Sequence, residues 1–458
     1  MQILVILPGL FAAFLALRRS PAYAFLNVYL PVLLLCPDYY HWKIVTGLPE
    51  LSFLQAAILP VAAVLLVRGI RWRWSLADVL VFGFALWFGI SEYRNAGYKE
   101  AQNLMFDMVT SMVLPYVAAK VLVEPLGLRV ALARRLVWLT LLVSVISVFE
   151  FRMGRNPFRI LLDPLFPGQG AGWVTTIRWG YGRIAGPYAH AILAGIVLLC
   201  CWRIARWLES SGQWESRFAI WRHLRVTEGR VVSLGLLGGL LMTMARGPWL
   251  GAILATALAA IGRAKNRKQA FRLLTAGILL MGIPAGIAFY RYVSVGRAGA
   301  QSETQETAAY RKELVDKYVG IALDHSVWGW GRSTWPKVDG MPSIDNYYLL
   351  LALMHGLPAV AFFLAIVAAM TVRLIAAAIR RIPPAGPASS LGFTLAGIYV
   401  GIAFSVATVY MGKQVIPLFA ILTGWSEGYL LSVKKTVFAP SRRRSAPAPV
   451  AVFQRVLA

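Results

Sequence analysis

Three arginines and a histidine stand beside apolar stretches of the sequence, where their charge is not needed to form a membrane segment. Arg183 and His190 lie in RIAGPYAH, Arg246 lies in LLMTMARGPWLGAIL, and Arg311 opens RKELVDKYVGIALDH. Guanidinium groups match phosphate oxygens bidentately and stay charged at neutral pH. If the three arginines converge, with His190 in the same pocket, they predict a site for a lipid phosphate or pyrophosphate.

A carboxylate and an amide precede another apolar stretch, in SIDNYYLLLALMHGLPAV. Asp345 and Asn346 have two compatible interpretations. Asp and Asn are common N-caps, because their side chains accept hydrogen bonds from the first free backbone N–H groups of a helix. An aspartate at a pocket mouth is also ionised at neutral pH and can accept a proton. In the second interpretation Asp345 is the catalytic base and Asn346 orients it.

The arginines also have simpler explanations. Arg246 could be a single residue whose charge reaches the membrane surface along its aliphatic stem. Arg311 could be an ordinary solvated residue, because the apolar residues Leu314, Val315, Tyr318 and Ile321 follow it at helical spacing. That spacing predicts an amphipathic helix, which could lie on the membrane.

The elements that must position these residues are apolar throughout. The chain has 458 residues, is 58% hydrophobic and has a mean hydropathy of +0.63. Its apolar residues form blocks of about 17–25 residues, the length that crosses a hydrocarbon core of about 30 Å. This pattern predicts an all-α polytopic transmembrane bundle of 12 to 13 helices. We expect one membrane domain over residues 1–437 and a disordered cytoplasmic tail over 438–458.

The net charge of +26 would suggest nucleic acid binding in a soluble protein. In a membrane protein it first reports topology, because Lys and Arg collect in cytoplasmic loops. With the C-terminal tail inside and the blocks alternating, most of the 46 Lys and Arg residues fall inside and most of the 20 Asp and Glu residues fall outside. The bilayer is therefore the expected partner, with no nucleic acid, and the long loops at 151–185 and 291–345 are predicted to be outside.

Taken in order, the short motifs resemble the O-antigen ligase and polysaccharide polymerase superfamily of bacterial membrane glycosyltransferases. The resemblance covers about residues 70–432. Its motifs are RIAGPYAH from Arg183, ARGPWLG from Ala245, the isolated Arg311, WGWG from Trp328, DNYYL from Asp345 and HGLP from His355.

The resemblance implies a helical glycosyltransferase fold of the GT-C type in the bacterial inner membrane, with its site facing the periplasm. The implied donor is an oligosaccharide on undecaprenyl pyrophosphate, and the implied acceptor is a glycan or a lipid-linked acceptor. The family is an inverting one that uses no metal and no cofactor. The predicted outside segments also contain no D-x-D motif of the kind that binds a metal.

One position departs from the ligase pattern. The ligases carry His-Asn where this chain has Asp345 and Asn346. Aspartate is a sufficient base if the acceptor hydroxyl loses its proton late, as an oxocarbenium-like centre forms. The departure favours an exopolysaccharide or O-antigen polymerase. The alternative is a ligase that transfers glycan to lipid A-core or protein.

A transporter or flippase for a lipid-linked oligosaccharide is the rival from another class. It would need charged residues along a path through the middle of the bilayer. In this sequence the singled-out ionisable residues lie at the predicted outer mouth, which disfavours transport.

Overall fold

The computed structural model describes residues 2–43, 49–170, 174–214, 227–264, 266–381 and 390–438. In these ranges thirteen helices make up the bundle. They are α1 Gln2–Arg18, α2 Pro21–Leu35, α3 Phe53–Arg68, α4 Leu76–Ala96, α5 Tyr98–Leu122, α6 Arg129–Met153, α8 Ala191–Ser210, α9 Glu228–Met242, α10 Arg246–Arg263, α11 Arg267–Ser294, α13 Tyr347–Arg381, α14 Leu391–Val406 and α15 Val415–Phe438.

Seven segments of the described part are long and apolar enough to cross a membrane. They lie in α4, α5, α6, α8, α11, α13 and α15. Four further apolar helices, α1, α2, α3 and α14, are shorter. The chain is a multi-pass helical membrane protein, which confirms the predicted fold class.

The remaining elements all lie in connections between these helices. They are the helices α7 Pro157–Leu162 and α12 Glu303–Asp324, and the strands β1 His41–Trp42, β2 Leu51–Ser52, β3 Ile177–Arg178 and β4 Tyr181–Gly182. The strands form two antiparallel hairpins, with His41 opposite Ser52 and Ile177 opposite Gly182.

One end of the bundle, here called the site end, is formed by the connections 36–52, 154–190, 243–245, 295–346 and 407–414. Side-chain contacts join these connections directly. The Tyr40 hydroxyl donates to Asp163 at 2.5 Å, and the Gln414 amide donates to the Cys36 carbonyl at 2.7 Å. The long loops predicted at 151–185 and 291–345 correspond to 154–190 and 295–346. Of the predicted tail, residues 439–458 lie outside the described residues.

Glycines bring α10 and α14 together at close range. A Cβ atom added to Gly251 would lie 2.7 Å from the Gly401 carbonyl oxygen, and one added to Gly397 would lie 2.6 Å from that of Ala255. Without a hydrophobic driving force inside a bilayer, such close backbone packing is a main source of helix association. It fixes the start of α10 and the end of α14, which both lie at the site end.

The helix predicted from the spacing around Arg311 is α12. Leu314 and Tyr318 are buried in a cluster with Leu349 and Leu353 of α13. Val315 and Leu323 remain exposed. The predicted helix forms, and part of its apolar face packs against the bundle.

Candidate functional site

A buried carboxylate at the end of α6 organises the connection 154–190. Glu150 accepts hydrogen bonds from the backbone N–H groups of Ala185 (3.0 Å) and Gly186 (2.8 Å), from the Thr175 hydroxyl (2.8 Å) and from the Asn156 amide (3.1 Å). All four partners donate, so the ionised carboxylate fits this position. Glu150 therefore fixes the turn that carries the first predicted arginine.

Two arginines of that connection bind the turn between α9 and α10. Arg183 donates from Nε to the Thr243 carbonyl at 3.1 Å, and Arg178 donates from Nη1 to the Met244 carbonyl at 2.9 Å. Met244 has a φ of +46°, a backbone conformation that costs energy for a residue with a side chain. Such strained residues cluster at functional sites, where the surrounding structure maintains them.

Two further arginines reach the same place from other elements. Arg246 is the first residue of α10 and is exposed. Arg311, on α12, donates from Nη2 to the Thr408 carbonyl at 3.4 Å, and its buried Nε has no hydrogen-bond partner in the described part of the chain. The unsatisfied Nε leaves Arg311 with unused donor capacity at the site.

The four arginines lie within electrostatic range of one another. Burial, and then the charges of Arg178 and Arg311, lower the pKa of Arg183 to about 10. Burial and the charge of Arg246 lower the pKa of Arg178. The pKa of Arg311 is also lowered, mainly by burial. The charge of Asp345 acts in the opposite direction, and the charges of Arg178 and Arg246 add to the lowering. The structure thus brings Arg183, Arg246 and Arg311 together, and adds Arg178.

This arginine cluster, consisting of Arg178, Arg183, Arg246 and Arg311, forms no ion pair with a carboxylate in the described ranges. Arg183 remains protonated at neutral pH, because even a pKa of about 10 leaves the charged form dominant. Asp345 acts on Arg311 and Glu303 acts on Arg178, so two carboxylates offset part of the positive charge of the four arginines. The remaining excess of positive charge favours an anionic ligand.

His190 lies beside the cluster and caps α8. Its Nδ1 accepts a hydrogen bond from the Ile192 backbone N–H at 3.1 Å. Burial and the charges of Arg183 and Arg311 lower its pKa to about 4, so the ring is neutral at pH 7. With Nδ1 as the acceptor, the ring proton is on Nε2. His190 is therefore a hydrogen-bond donor to the cavity of about 300 Å³ that it lines with Arg183.

The helix cap that the sequence predicted for this pair is made by Asn346. The Asn346 side-chain oxygen accepts from the backbone N–H groups of Tyr348 (3.0 Å) and Leu349 (3.2 Å), so Asn346 caps α13. The Asp345 carboxylate accepts only from the Ser343 hydroxyl, at 3.0 Å, among the hydrogen bonds of the described residues. Asp345 is thus held at the helix start, close to Arg311, with free acceptor positions.

The WGWG and HGLP motifs lock the 295–346 connection onto α13. The helix changes direction at Gly356, which has a φ of +77°, and Gly329 has a φ of +67°. A Cβ atom at Gly356 would lie 2.1 Å from the Val327 carbonyl oxygen, and one at Gly329 would lie 2.5 Å from the carbonyl carbon of Met354. Only glycine fits either position, so the two motifs form one joint.

His355 contributes to this joint. Its Nδ1 lies 2.8 Å from the Ser91 hydroxyl, and its backbone carbonyl accepts from the Trp87 indole at 2.8 Å. Trp87 in turn stacks on Trp328, with ring centroids 4.9 Å apart. His355 therefore bridges α13 to α4.

Residues 231–364 match a family described as O-antigen ligase. Over these residues the chain is similar to that family. This result confirms the resemblance identified from the sequence motifs and supports membrane glycosyl transfer as the general function. A search of curated proteins found no match.

The O-antigen ligase domain contains only part of the site. Arg246, Arg311, Asp345 and Asn346 lie within the matched residues, whereas Arg183 and His190 precede them. The contacts of Arg183 with the α9–α10 turn join the two parts.

Sequence reasoning assigned no role to Glu150 or Arg178. Glu150 had a usable signal, because a carboxylate at the end of an apolar block is costly unless it has a role. The contribution of Arg178 depends on the β3–β4 hairpin, whose two-residue strands are too short to be recognised in a sequence.

Among the described residues, no three His, Cys, Asp or Glu side chains form a group that could hold a metal ion.

Proposed function

We propose that this protein transfers a glycan from a polyprenyl pyrophosphate, such as undecaprenyl pyrophosphate, to a hydroxyl group of a second glycan. The observation that carries the proposal is the arginine cluster, which has no carboxylate partner in the described structure and lies beside Asp345. In a chain with an O-antigen ligase domain, the anion expected at such a cluster is the pyrophosphate of a lipid-linked donor.

The arginine cluster binds the donor pyrophosphate and stabilises the charge that it gains on leaving. Arg183 and Arg178 are fixed by backbone carbonyls of the α9–α10 turn, so little reorganisation is needed when the ligand arrives. The neutral His190 donates a hydrogen bond from Nε2 to the same group. Because cationic and neutral donors hold the leaving group, no general acid is required.

Asp345 accepts the proton of the acceptor hydroxyl. The acceptor oxygen forms a bond to the anomeric carbon of the donor, and the bond between that carbon and the pyrophosphate oxygen breaks. The electron pair of the broken bond leaves with the pyrophosphate. Attack on the face opposite the leaving group inverts the anomeric configuration, and the step uses no metal ion.

Asp345 also favours polymerisation over ligation, since related ligases carry histidine at this position. The product is then a longer exopolysaccharide or O-antigen chain on its lipid carrier. The alternative product is a glycan transferred to lipid A-core or protein. In both cases the site end faces the periplasm across the bacterial inner membrane, as the excess of Lys and Arg on the opposite side suggests.

Donor turnover by the purified protein tests this proposal. The full chain is reconstituted in proteoliposomes with an undecaprenyl-pyrophosphate oligosaccharide, and product chain length is measured. We expect chains longer than one repeat unit without added lipid A-core. Products that form only when lipid A-core is added would indicate a ligase. The absence of any glycosyl transfer, with the donor still bound, would contradict the proposed activity.

A further inference from the structure

A second polar cavity lies at the site end, between the 36–52 connection, α5 and the 407–414 connection. Its volume is about 270 Å³. This cavity, here called the polar cavity, is lined by Asp38, Lys43, Lys99, Asn103, Asp107 and Lys413, among other residues. Neither the arginine cluster nor the O-antigen ligase domain accounts for it, because these six residues lie outside residues 231–364.

One wall of the polar cavity is a polar stripe on α5. Lys99, Asn103 and Asp107 are four residues apart, so they share one face of the helix. The Gln55 amide donates to Asp107 at 2.8 Å and fixes that carboxylate. Arg332, from the 295–346 connection, closes this side at 3.9 Å from Asp107. The stripe is therefore held in place by elements on both sides.

The lining combines acceptors and donors in a small volume. Asp38 and Asp107 supply carboxylates, while Lys43, Lys99 and Lys413 have no carboxylate within ion-pair distance in the described ranges. Burial raises the pKa of Asp38 to about 6, although the charge of Lys413 acts in the opposite direction. A sugar hydroxyl both donates and accepts a hydrogen bond, so neighbouring carboxylates, amides and ammonium groups suit a hydroxyl-rich ligand.

The 407–414 connection joins the polar cavity to the arginine cluster. Lys413 lines the polar cavity, and the Thr408 carbonyl accepts from Arg311 at 3.4 Å. The Tyr348 hydroxyl, three residues after Asp345, donates at 2.7 Å to a carbonyl near the end of α14, the helix that leads into this connection. The same connection therefore lines the polar cavity, contacts Arg311 and follows a helix that contacts the start of α13.

We propose that the polar cavity binds the hydroxyl-bearing end of the acceptor glycan and directs its reacting hydroxyl toward Asp345. This inference rests on the proposed function, in which the arginine cluster holds the donor. It assigns donor and acceptor to two separate sites at the site end. The recognition of the acceptor then depends on residues of this chain outside the O-antigen ligase domain.

Binding without a donor tests the proposal first. The probe is the soluble oligosaccharide released by mild acid from the cells' own polyprenyl-linked glycan, and its dissociation constant is measured with the full chain in nanodiscs. Asn103→Trp, which fills the polar cavity, should raise the dissociation constant at least tenfold. Lys99→Gln, a milder change that keeps the helix, should raise it three- to tenfold. Lys337→Gln, at an exposed position of the same end, is the matched control and should leave it unchanged.

Turnover separates this inference from the proposed function. In proteoliposomes, Asn103→Trp and Lys99→Gln should raise KM for the acceptor and leave KM for the donor within twofold, whereas Arg246→Lys should raise KM for the donor. Active wild-type protein with an acceptor KM that neither cavity variant changes would overturn the inference alone. Oligosaccharide binding that depends on Asn103, in a wild-type protein without transferase activity, would overturn the proposed function alone.

Discussion

Replacement of Glu150 by Gln should weaken both the fold and the site. The Glu150 carboxylate accepts four hydrogen bonds, from two backbone N–H groups on one oxygen and from Thr175 and Asn156 on the other. A glutamine can keep its oxygen toward the two backbone N–H groups and place its NH2 group beside Thr175, whose hydroxyl can accept, and Asn156, whose NH2 group cannot. One hydrogen bond to a charged group is then lost, which lowers the free energy of unfolding by about 1.5–3 kcal/mol.

Turnover should fall in the same variant, because the turn fixed by Glu150 carries Arg183. A displacement of about 1 Å in a positioning group can reduce the rate about 100-fold. We therefore expect donor turnover to drop 10- to 100-fold. The double variant Glu150→Gln, Arg183→Ala should be little worse than Arg183→Ala alone, since both changes disrupt the same contact.

Thermal unfolding in detergent and turnover in proteoliposomes measure the two effects. The matched control is Glu427→Gln, which alters a buried carboxylate on α15 that pairs with Arg373 at 2.7 Å. The control should lower stability but should not reduce turnover of the folded protein in proportion. A Glu150→Gln protein with unfolding free energy within about 0.5 kcal/mol of wild type and full activity would refute the positioning role.

Three further predictions concern the cluster, the topology and the polar cavity. Arg183→Ala and Arg246→Ala should abolish turnover while the protein still accumulates in the membrane. Lys at either position should restore turnover only in part, because the bidentate guanidinium group is lost. Products of normal length from either Ala variant would refute the role of the cluster in donor binding. A reporter fused after Lys435 should be active only in the cytoplasm, and periplasmic activity would reverse the topology. Asp38 has a native pKa raised to about 6, above its ordinary value of about 3.9, so its contribution to stability is present below pH 4 and is lost as pH rises through 6. In thermal unfolding, the free energy of unfolding of Asp38→Asn should equal that of the wild type at pH 4 and be higher by up to about 3 kcal/mol at pH 8. The same difference between the two proteins at both pH values would contradict the raised pKa of Asp38.

The helices could be predicted from the sequence because each apolar block has membrane-spanning length or nearly so. Several helices extend past their apolar residues: α4 ends in the largely polar segment Tyr93–Ala96, and α13 ends at Arg381. Apolar blocks show where a segment can be buried, but hydrogen bonding carries a helix beyond its apolar part.

The site was predictable where charge stood against the hydrophobic pattern. Arg183, Arg246 and Arg311 were identified for that reason. Their convergence depends on helix packing, which cannot be read from a single sequence. The sequence also did not show which of Asp345 and Asn346 caps α13, since both residue types cap helices equally well. The polar cavity depends on three connections far apart in sequence, and only the α5 stripe of Lys99, Asn103 and Asp107 had a local signature.

The central claim is that Asp345 accepts a proton from the acceptor while the arginine cluster holds the donor. Asp345→Asn tests it most directly, because Asn346 supplies the cap of α13 and the change keeps the shape of the side chain. A positioned base contributes about 10²–10⁴-fold to the rate.

The measurement is the rate of glycosyl transfer in proteoliposomes with an undecaprenyl-pyrophosphate oligosaccharide, together with donor binding by the same protein. We expect the Asp345→Asn protein to fold, to bind the donor with unchanged affinity and to transfer glycan at least 100-fold more slowly. Asp345→His should retain more activity than Asp345→Asn. A near wild-type transfer rate in Asp345→Asn would contradict the account.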